Sequence, residues 1–196
     1  MDTEKPTVLV DMDGVMANFD SGALANIPPT LIVNRADFFV AKDYPLHLQS
    51  IIESTYNTPG FFEELEPMTG LFEGWQAMID AGYSPRVASA PLLSNPNSIE
   101  GKIKWLDRIM VPEFGARVVE DAIIDRDKWK YDAIALIDDR PDPHKGPNGE
   151  NVAKWEHILF GWEHFPEVPL SSAAFRLLKW RDSDHLLATL NEIENR

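Results

Sequence analysis

Residues 7–14 read Thr7-Val8-Leu9-Val10-Asp11-Met12-Asp13-Gly14, an apolar run that ends in two acids and a glycine. The run Val8–Val10 is typical of a strand buried on both faces, as in a parallel sheet. Acids at the carboxyl end of such a strand lie at the crevice where open α/β sheets bind ligands. There they suit Mg²⁺ coordination, and one of them suits nucleophilic attack on phosphorus. An acidic turn after a strand is the alternative, and this stretch alone does not decide between the two.

Further along the chain, short apolar runs alternate with segments of helical periodicity. Four later runs predict strands: 86–88, 117–119, 133–137 and 156–160. Amphipathic spacing predicts helices over about 71–79 and 103–110, and a closing helix from Asp182 onward. This alternation predicts an α/β protein with a doubly wound, mostly parallel sheet.

The region between the first strand and Gly70 follows neither pattern. It mixes polar and apolar residues and is interrupted by prolines at positions 28, 29, 45, 59 and 67. Short helices joined by loops fit this composition better than strands. We therefore expect residues 1–16 and 70–196 to form the catalytic core. Residues 17–69 are expected to form a small helical cap, inserted after the first strand above the carboxyl edge of the sheet.

Composition restricts the partners and the location that the sequence predicts. The 196 residues include 18 basic and 32 acidic side chains, a net charge of −14, which argues against a nucleic acid polymer or an anionic membrane surface. The chain has no cysteine and no apolar stretch long enough to span a bilayer. We expect a cytoplasmic protein that acts on a small molecule; a homodimer is left open.

Side chains suited to phosphate chemistry recur where three predicted strands end. They are Asp11 with Asp13, Ser89, and Asp138 with Asp139. Four acids in one crevice would repel one another, and a Mg²⁺ ion would neutralise them while leaving positions for a phosphate oxygen. A hydroxyl and an ammonium group, from Ser89 and Lys128, would hold the remaining phosphoryl oxygens. This set supplies the alignment and charge neutralisation that phosphoryl transfer requires.

The order of these residues resembles the four motifs of the haloacid dehalogenase (HAD) superfamily. Longer blocks resemble, more specifically, the 5'(3')-deoxyribonucleotidases: DMDGVMANF at 11–19, FFEELEP at 61–67, RDK at 126–128, IDD at 137–139 and WEHILF at 155–160. The resemblance extends from about Val8 to the final helix. It implies a HAD-like, Rossmannoid core and a phosphoric monoester hydrolase that uses Mg²⁺ to hydrolyse nucleoside monophosphates.

The resemblance also implies a role for each acid. Asp11 would be the nucleophile that forms an aspartyl-phosphate, and Asp13 would protonate the leaving sugar oxygen and then activate water. The Asp11 carboxylate, the Asp13 backbone carbonyl and one acid of the Asp138-Asp139 pair would ligate the metal. Asp139 is the favoured ligand, with Asp138 orienting a metal-bound water, although the two could exchange roles.

The substrate contacts implied by the resemblance come from strand ends and from the cap. Ser89 and Lys128 would bind the phosphate. The other substrate-binding positions are Phe19, Phe38, Phe39 and Arg126. Phe38 and Phe39 could instead be ordinary apolar residues of the cap core.

Two features of the sequence leave alternatives open. The family has Thr-Ser at the second motif, whereas this chain has Ser89-Ala90, so one phosphate-binding hydroxyl is missing. Lys102 could approach the phosphate or lie on a solvated helix face. The changed motif and the divergent cap keep a second substrate class open, another small phosphate ester such as a sugar phosphate. A catalytically silent nucleotide-binding protein is the third hypothesis.

Overall fold

The computed structural model describes residues 5–143, 146, 148–161 and 175–196. These residues contain a six-stranded sheet in which all the paired neighbours run parallel, with the order β3-β2-β1-β4-β5-β6. The strands are β1 (Thr7–Val10), β2 (Ser84–Ser89), β3 (Ile123–Ile124), β4 (Ala135–Asp138), β5 (Glu156–Phe160) and β6 (Phe175–Leu177). The order reverses direction at β1, which places a topological switch point beside this strand. The α/β prediction is confirmed.

Strand β1 lies at the centre because both of its faces are apolar. Val8, Leu9 and Val10 are all completely buried. Val8 and Val10 belong to the main hydrophobic cluster, whereas Leu9 packs on the other face of the sheet with Ala88 and Leu136. Alternate side chains of a strand point to opposite faces, so this run can sit only inside a sheet that is covered on both sides.

The described helices lie between the strands or after the last strand. They are α1 (Phe19–Ala23), α2 (Leu46–Tyr56), α3 (Phe61–Glu64), α4 (Leu71–Asp80), α5 (Ser98–Ile109), α6 (Val111–Phe114), α7 (Arg117–Glu120) and α8 (Ser183–Glu194). Short 3₁₀ turns occur at Pro29–Leu31, Val40–Asp43 and Lys128–Lys130. None of the helices in the described part of the chain has the length and hydropathy of a membrane span.

Residues 17–69 contain the short helices that their composition predicts. Seven of their side chains form a hydrophobic cluster separate from that of the sheet: Ala23, Ile27, Val40, Ala41, Tyr44, Leu48 and Ile52. The chain leaves and re-enters the core at one place, because the Asn18 amide donates to the Glu66 carbonyl at 2.8 Å and the Met68 amide to the Met16 carbonyl at 2.7 Å. These two hydrogen bonds join the ends of the segment, and its last part also packs on the core, because Phe62 and Leu65 belong to the main hydrophobic cluster.

The strand predicted at residues 117–119 is wrong. These residues begin α7, in which the Asp121 amide donates to the Arg117 carbonyl at 2.9 Å. Val118 and Val119 favour strands by propensity, but here they are partly buried against the main cluster from a helical turn. The third strand is instead the dipeptide Ile123–Ile124, paired with the end of β2.

Candidate active site

The register of the sheet brings the carboxyl ends of β1 and β4 together. Val10 pairs with Ile137, and the Asp11 amide donates to the Ile137 carbonyl at 2.8 Å. Asp138 ends β4 and Asp139 follows it. Carboxylate oxygens of Asp11, Asp138 and Asp139 lie within 4.8 Å of one another, and all three residues are buried. The two acidic motifs predicted from the sequence therefore form one cluster.

Lys128 neutralises part of this cluster. Its Nζ lies 2.5 Å from Asp11 Oδ1 and 2.6 Å from Asp138 Oδ2, and it is itself buried. Burial disfavours the ammonium, but the two carboxylates outweigh that effect and raise the pKa of Lys128. The Trp155 indole donates a hydrogen bond to the Lys128 backbone carbonyl at 3.3 Å. Lys128 is thus a fixed cation between the nucleophile candidate and β4.

Asp139 has the most strongly raised pKa of the cluster. Burial, followed by the charges of Asp138 and Asp11, raises its pKa well above the usual range. It lies directly against Gly14, whose φ is +77° and where a Cβ atom would meet Asp139 Oδ2 at 2.4 Å. Glycine is required here both for the backbone conformation and for the approach of this carboxylate.

The donor set fits a divalent cation. Once ionised, three carboxylates and one ammonium leave an excess of two negative charges in a buried space, and Mg²⁺ takes oxygen ligands of this kind. Both Asp138 oxygens already accept hydrogen bonds, Oδ2 from Lys128 at 2.6 Å and Oδ1 from the Arg140 amide at 2.8 Å. This occupation favours Asp139 over Asp138 as the direct ligand, although a carboxylate oxygen can accept more than one partner.

A second cluster lies beside the first, built around Lys102. Its Nζ contacts Asp13 Oδ2 at 2.7 Å, Ser89 Oγ at 2.8 Å and the Ala90 carbonyl at 2.8 Å. Burial raises the pKa of Asp13, while Lys102 opposes that shift. Asp13 follows β1, Ser89 ends β2, and Lys102 of α5 joins the two through hydrogen bonds.

A residue from segment 17–69 also reaches the acids. Arg35 Nη1 lies 2.8 and 2.7 Å from the two Asp20 carboxylate oxygens and 3.9 Å from Asp139 Oδ2. Its other nitrogens donate to the carbonyls of Asp37 and Phe38. The guanidinium therefore organises its own loop and places that loop over the end of β4.

The predicted substrate-binding residues occupy different environments. Phe19 is half-buried in an aromatic cluster, with ring centroids 5.4 Å from Phe61 and 5.8 Å from Tyr56. Phe38 is partly buried, and the guanidinium carbons of Arg35 and Arg140 lie 5.8 and 5.7 Å from its ring centroid. Phe39 is 57% exposed beneath Lys42, and Arg126 is exposed. Their contact with substrate stays a prediction.

The sequence left Lys102 undecided, and the structure buries it completely. A signal was present, because Lys102 lies at helical spacing with the buried residues Ser98, Trp105 and Leu106 on α5. A lysine on the apolar face of a helix requires a buried partner. Arg35 carried no such signal, since it lies in an irregular loop.

Comparison with known proteins gives one consistent result. Residues 5–190 match the profile of the family "5' nucleotidase, deoxy (Pyrimidine), cytosolic type C protein". The human cytosolic-type 5'(3')-deoxyribonucleotidase is 33% identical over 187 residues, covering 90% of each chain. The mouse mitochondrial 5'(3')-deoxyribonucleotidase is 31% identical, covering 89% of this chain and 81% of that protein.

Solved structures confirm the fold. A HAD family hydrolase from Deinococcus radiodurans R1, with bound phosphate and sodium, has a TM-score of 0.55 at 15% identity and covers 97% of this chain and 98% of its own. The HAD hydrolase YfnB from Bacillus subtilis, bound to magnesium, also has a TM-score of 0.55 at 15% identity and covers 94% and 99%. The HAD-like core expected from the sequence is therefore confirmed.

Proposed function

The chain belongs to the 5'(3')-deoxyribonucleotidase family, and from that membership we propose that it hydrolyses deoxyribonucleoside monophosphates to nucleoside and inorganic phosphate. The observation that carries the proposal is the buried group of Asp11, Asp138 and Asp139 with Lys128, at the switch point of a parallel sheet. Phosphoryl transfer requires charge neutralisation and alignment, which this group supplies. The protein is accordingly a phosphoric monoester hydrolase.

In this proposal Asp11 attacks phosphorus and Asp13 moves the proton. An Asp11 carboxylate oxygen forms a bond to phosphorus as the ester P–O bond breaks, and Asp13 donates its proton to the leaving sugar oxygen. Water then attacks phosphorus, gives a proton to Asp13, and releases phosphate and the free Asp11 carboxylate. Lys128 holds Asp11 at 2.5 Å and supplies a positive charge for the phosphoryl oxygens. Ser89 is proposed as a hydrogen-bond donor to the same group.

We propose that the Asp11 and Asp139 carboxylates and the Asp13 backbone carbonyl would hold the metal. Asp138 would lie beside the ion without binding it directly. Two unneutralised negative charges among buried carboxylates support a divalent ion, and the relative YfnB binds magnesium. A bound Mg²⁺ would neutralise charge that develops on the phosphoryl oxygens. His157 Nε2 donates to the Asp138 carbonyl at 3.2 Å and so fixes the backbone that carries the ligands.

Residues 17–69 are proposed to act as the cap that closes on the substrate. Their separate apolar cluster and the loop of Arg35 above Asp139 support this division from a core of residues 1–16 and 70–196. Phe19, Phe38, Phe39 and Arg126 are the proposed base and sugar contacts. A cytoplasmic location and a homodimer stay predictions.

A substrate panel tests the proposal. Purified protein with Mg²⁺ is given 5'- and 3'-deoxyribonucleoside monophosphates, ribonucleotides and sugar phosphates, and phosphate release is measured with and without EDTA. We expect the highest kcat/KM for a deoxyribonucleoside monophosphate and loss of turnover in EDTA. A sugar phosphate that exceeds every nucleotide would replace the proposed substrate class, and a lack of release from all of them would indicate a silent binding protein.

A further inference from the structure

Lys102 is a completely buried cation whose three hydrogens are all used. The ammonium group has three donors and no acceptor, and its partners are Asp13 Oδ2, Ser89 Oγ and the Ala90 carbonyl, at 2.7–2.8 Å. Burying a charge is costly unless it is paired and hydrogen-bonded. The lysine is therefore held in one position, at the contact between the ends of β1 and β2.

The first consequence concerns the Ser89 hydroxyl. Because Lys102 can only donate, Ser89 Oγ must be the acceptor in their 2.8 Å hydrogen bond. The Ser89 hydrogen is then directed to another partner. This makes the hydroxyl a donor toward a phosphoryl oxygen, the role that a phosphate ligand requires of it. Lys102 would impose that polarity before any substrate arrives.

The second consequence concerns the Asp13 carboxyl group. Lys102 anchors Oδ2, while Oδ1 is buried and has no hydrogen-bond partner among the described residues. A carboxyl group held by one oxygen presents the other in a fixed direction. Asp13 Oδ1 is therefore the oxygen left for proton transfer to the leaving group.

We propose that Lys102 is a positioning residue for the reaction, which aligns the proton-donating oxygen of Asp13 and the phosphate-binding hydroxyl of Ser89. The inference rests on the proposed function, because it assumes that Asp13 protonates the leaving group. It gives Lys102 a role distinct from that of Lys128, which contacts Asp11 and Asp138. A lysine that only ties α5 to the sheet would be required equally for every substrate.

Leaving-group dependence separates these two roles. A sugar alkoxide is a strong base and must be protonated as it departs, whereas p-nitrophenolate is a stable anion that leaves without a proton. We expect Lys102→Met to lower kcat/KM for p-nitrophenyl phosphate by about 5-fold, the loss that both substrates share because the Ser89 hydroxyl is no longer oriented. For a deoxyribonucleoside 5'-monophosphate we expect a loss of roughly 100-fold, because this substrate also needs the aligned Asp13 proton. Because kcat/KM covers the steps up to phosphoryl transfer, later hydrolysis of the intermediate does not affect the comparison.

The ratio of the two kcat/KM values is measured on the same preparation, so it does not depend on the fraction of folded enzyme. Lys104→Met is the matched control, since Lys104 is half-exposed on the same helix and pairs with Glu100 and Glu63; its ratio should match the wild type. Asp13→Asn provides the reference for a missing proton donor, and Lys102→Met should shift the ratio in the same direction.

Equal losses for both substrates, or no loss for either, would overturn the role of Lys102. Failure of the proposed function would look different, since the wild-type protein would then release no phosphate from nucleotides at all.

Discussion

Gly14 is the residue at the site with the least room for change. It follows the Asp11-Met12-Asp13 motif, has a φ of +77°, and lies where an added Cβ would be 2.4 Å from Asp139 Oδ2 and 2.9 Å from its Cγ. A glycine directly after Asp13 is therefore required for the packing of Asp139. The sheet register brings the two acidic motifs together, and the lack of a side chain at Gly14 allows Asp139 to approach this closely.

Replacing Gly14 by alanine tests this packing. Gly14→Ala should displace Asp139 and lower kcat for nucleotide hydrolysis by roughly 100-fold or more, because small misplacements at a reacting centre cost about that much. The measurement is kcat together with Mg²⁺ affinity. Gly82→Ala is the control: it follows the C-terminal end of α4, its φ is +95°, and nothing lies within 4 Å of the added Cβ.

Both alanine variants place a side chain at a positive φ, which costs about 1–2 kcal/mol in the left-handed region. Only Gly14→Ala should lose metal affinity. Equal activity in the two variants would show that the Gly14–Asp139 contact is not needed for catalysis.

At the scale of elements, Arg35 makes a contact between segment 17–69 and the end of β4. It pairs with Asp20 within the segment and lies 3.9 Å from Asp139 of the core. It also donates to the Phe38 carbonyl, and the guanidinium carbons of Arg35 and Arg140 lie 5.8 and 5.7 Å from the centroid of the Phe38 ring. Arg35 thus links the loop that carries Phe38 to the acidic end of β4.

Removal of that side chain should affect substrate binding more than chemistry. Arg35→Ala is expected to raise KM for a deoxyribonucleoside monophosphate about tenfold, equivalent to ~1.4 kcal/mol, with kcat changed much less. Lys42→Ala, in the same segment, removes an exposed lysine 3.8 Å from Asp37 and should change KM by less than about twofold. Steady-state kinetics of the two variants provide the check, and a fall in kcat at unchanged KM for Arg35→Ala would contradict the proposed role of the cap.

The elements also show how far the sequence could be interpreted. The predicted strands at β1, β4 and β5 are confirmed, because continuous apolar runs that end in acids or glycine leave few alternatives. β6 was not predicted, since Phe175–Leu177 is too short for periodicity to identify. The error at residues 117–119 arose because β-branched residues also pack well from one helical turn.

The candidate site likewise contains residues that the sequence identified and residues whose contacts it did not. The acids Asp11, Asp138 and Asp139 and the cation Lys128 could be identified because motif order places them at neighbouring strand ends, and the structure brings them together. The contacts of Lys102 and Arg35 could not be predicted. Helical spacing indicates that Lys102 lies on the buried face of α5, but it does not specify which groups the ammonium contacts, and the contacts of Arg35 depend on the path of an irregular loop.

For the whole molecule, the acidic site links stability to pH and to metal. Burial raises the pKa values of Asp11, Asp13 and Asp139, and neighbouring carboxylates add to the shift, whereas Lys128 opposes it at Asp11 and Lys102 at Asp13. In the native state these groups keep protons that the unfolded chain has already released, so stability without metal falls as pH rises through the native pKa values. Metal binding requires the deprotonated carboxylates and therefore releases protons.

Stabilisation by Mg²⁺ should accordingly increase with pH over that range and then level off. At a free Mg²⁺ concentration about 100-fold above Kd the gain is about 2.7 kcal/mol, or roughly 5–10 °C in Tm for a chain of this size. Thermal unfolding with and without Mg²⁺ at several pH values measures it. Asp139→Asn should show a smaller shift with a weaker pH dependence, and an Mg²⁺ shift that is the same at all pH values would argue against the carboxylate site.

The central claim is that this molecule is a phosphatase that uses Asp11 as its nucleophile. The most direct measurement is phosphate release from a deoxyribonucleoside monophosphate in Mg²⁺ by the wild-type protein and by Asp11→Asn, with circular dichroism to show that both are folded. The account predicts turnover by the wild type and a loss of roughly 1000-fold or more in the variant, as expected when a covalent nucleophile is removed. Wild-type activity in folded Asp11→Asn would contradict it.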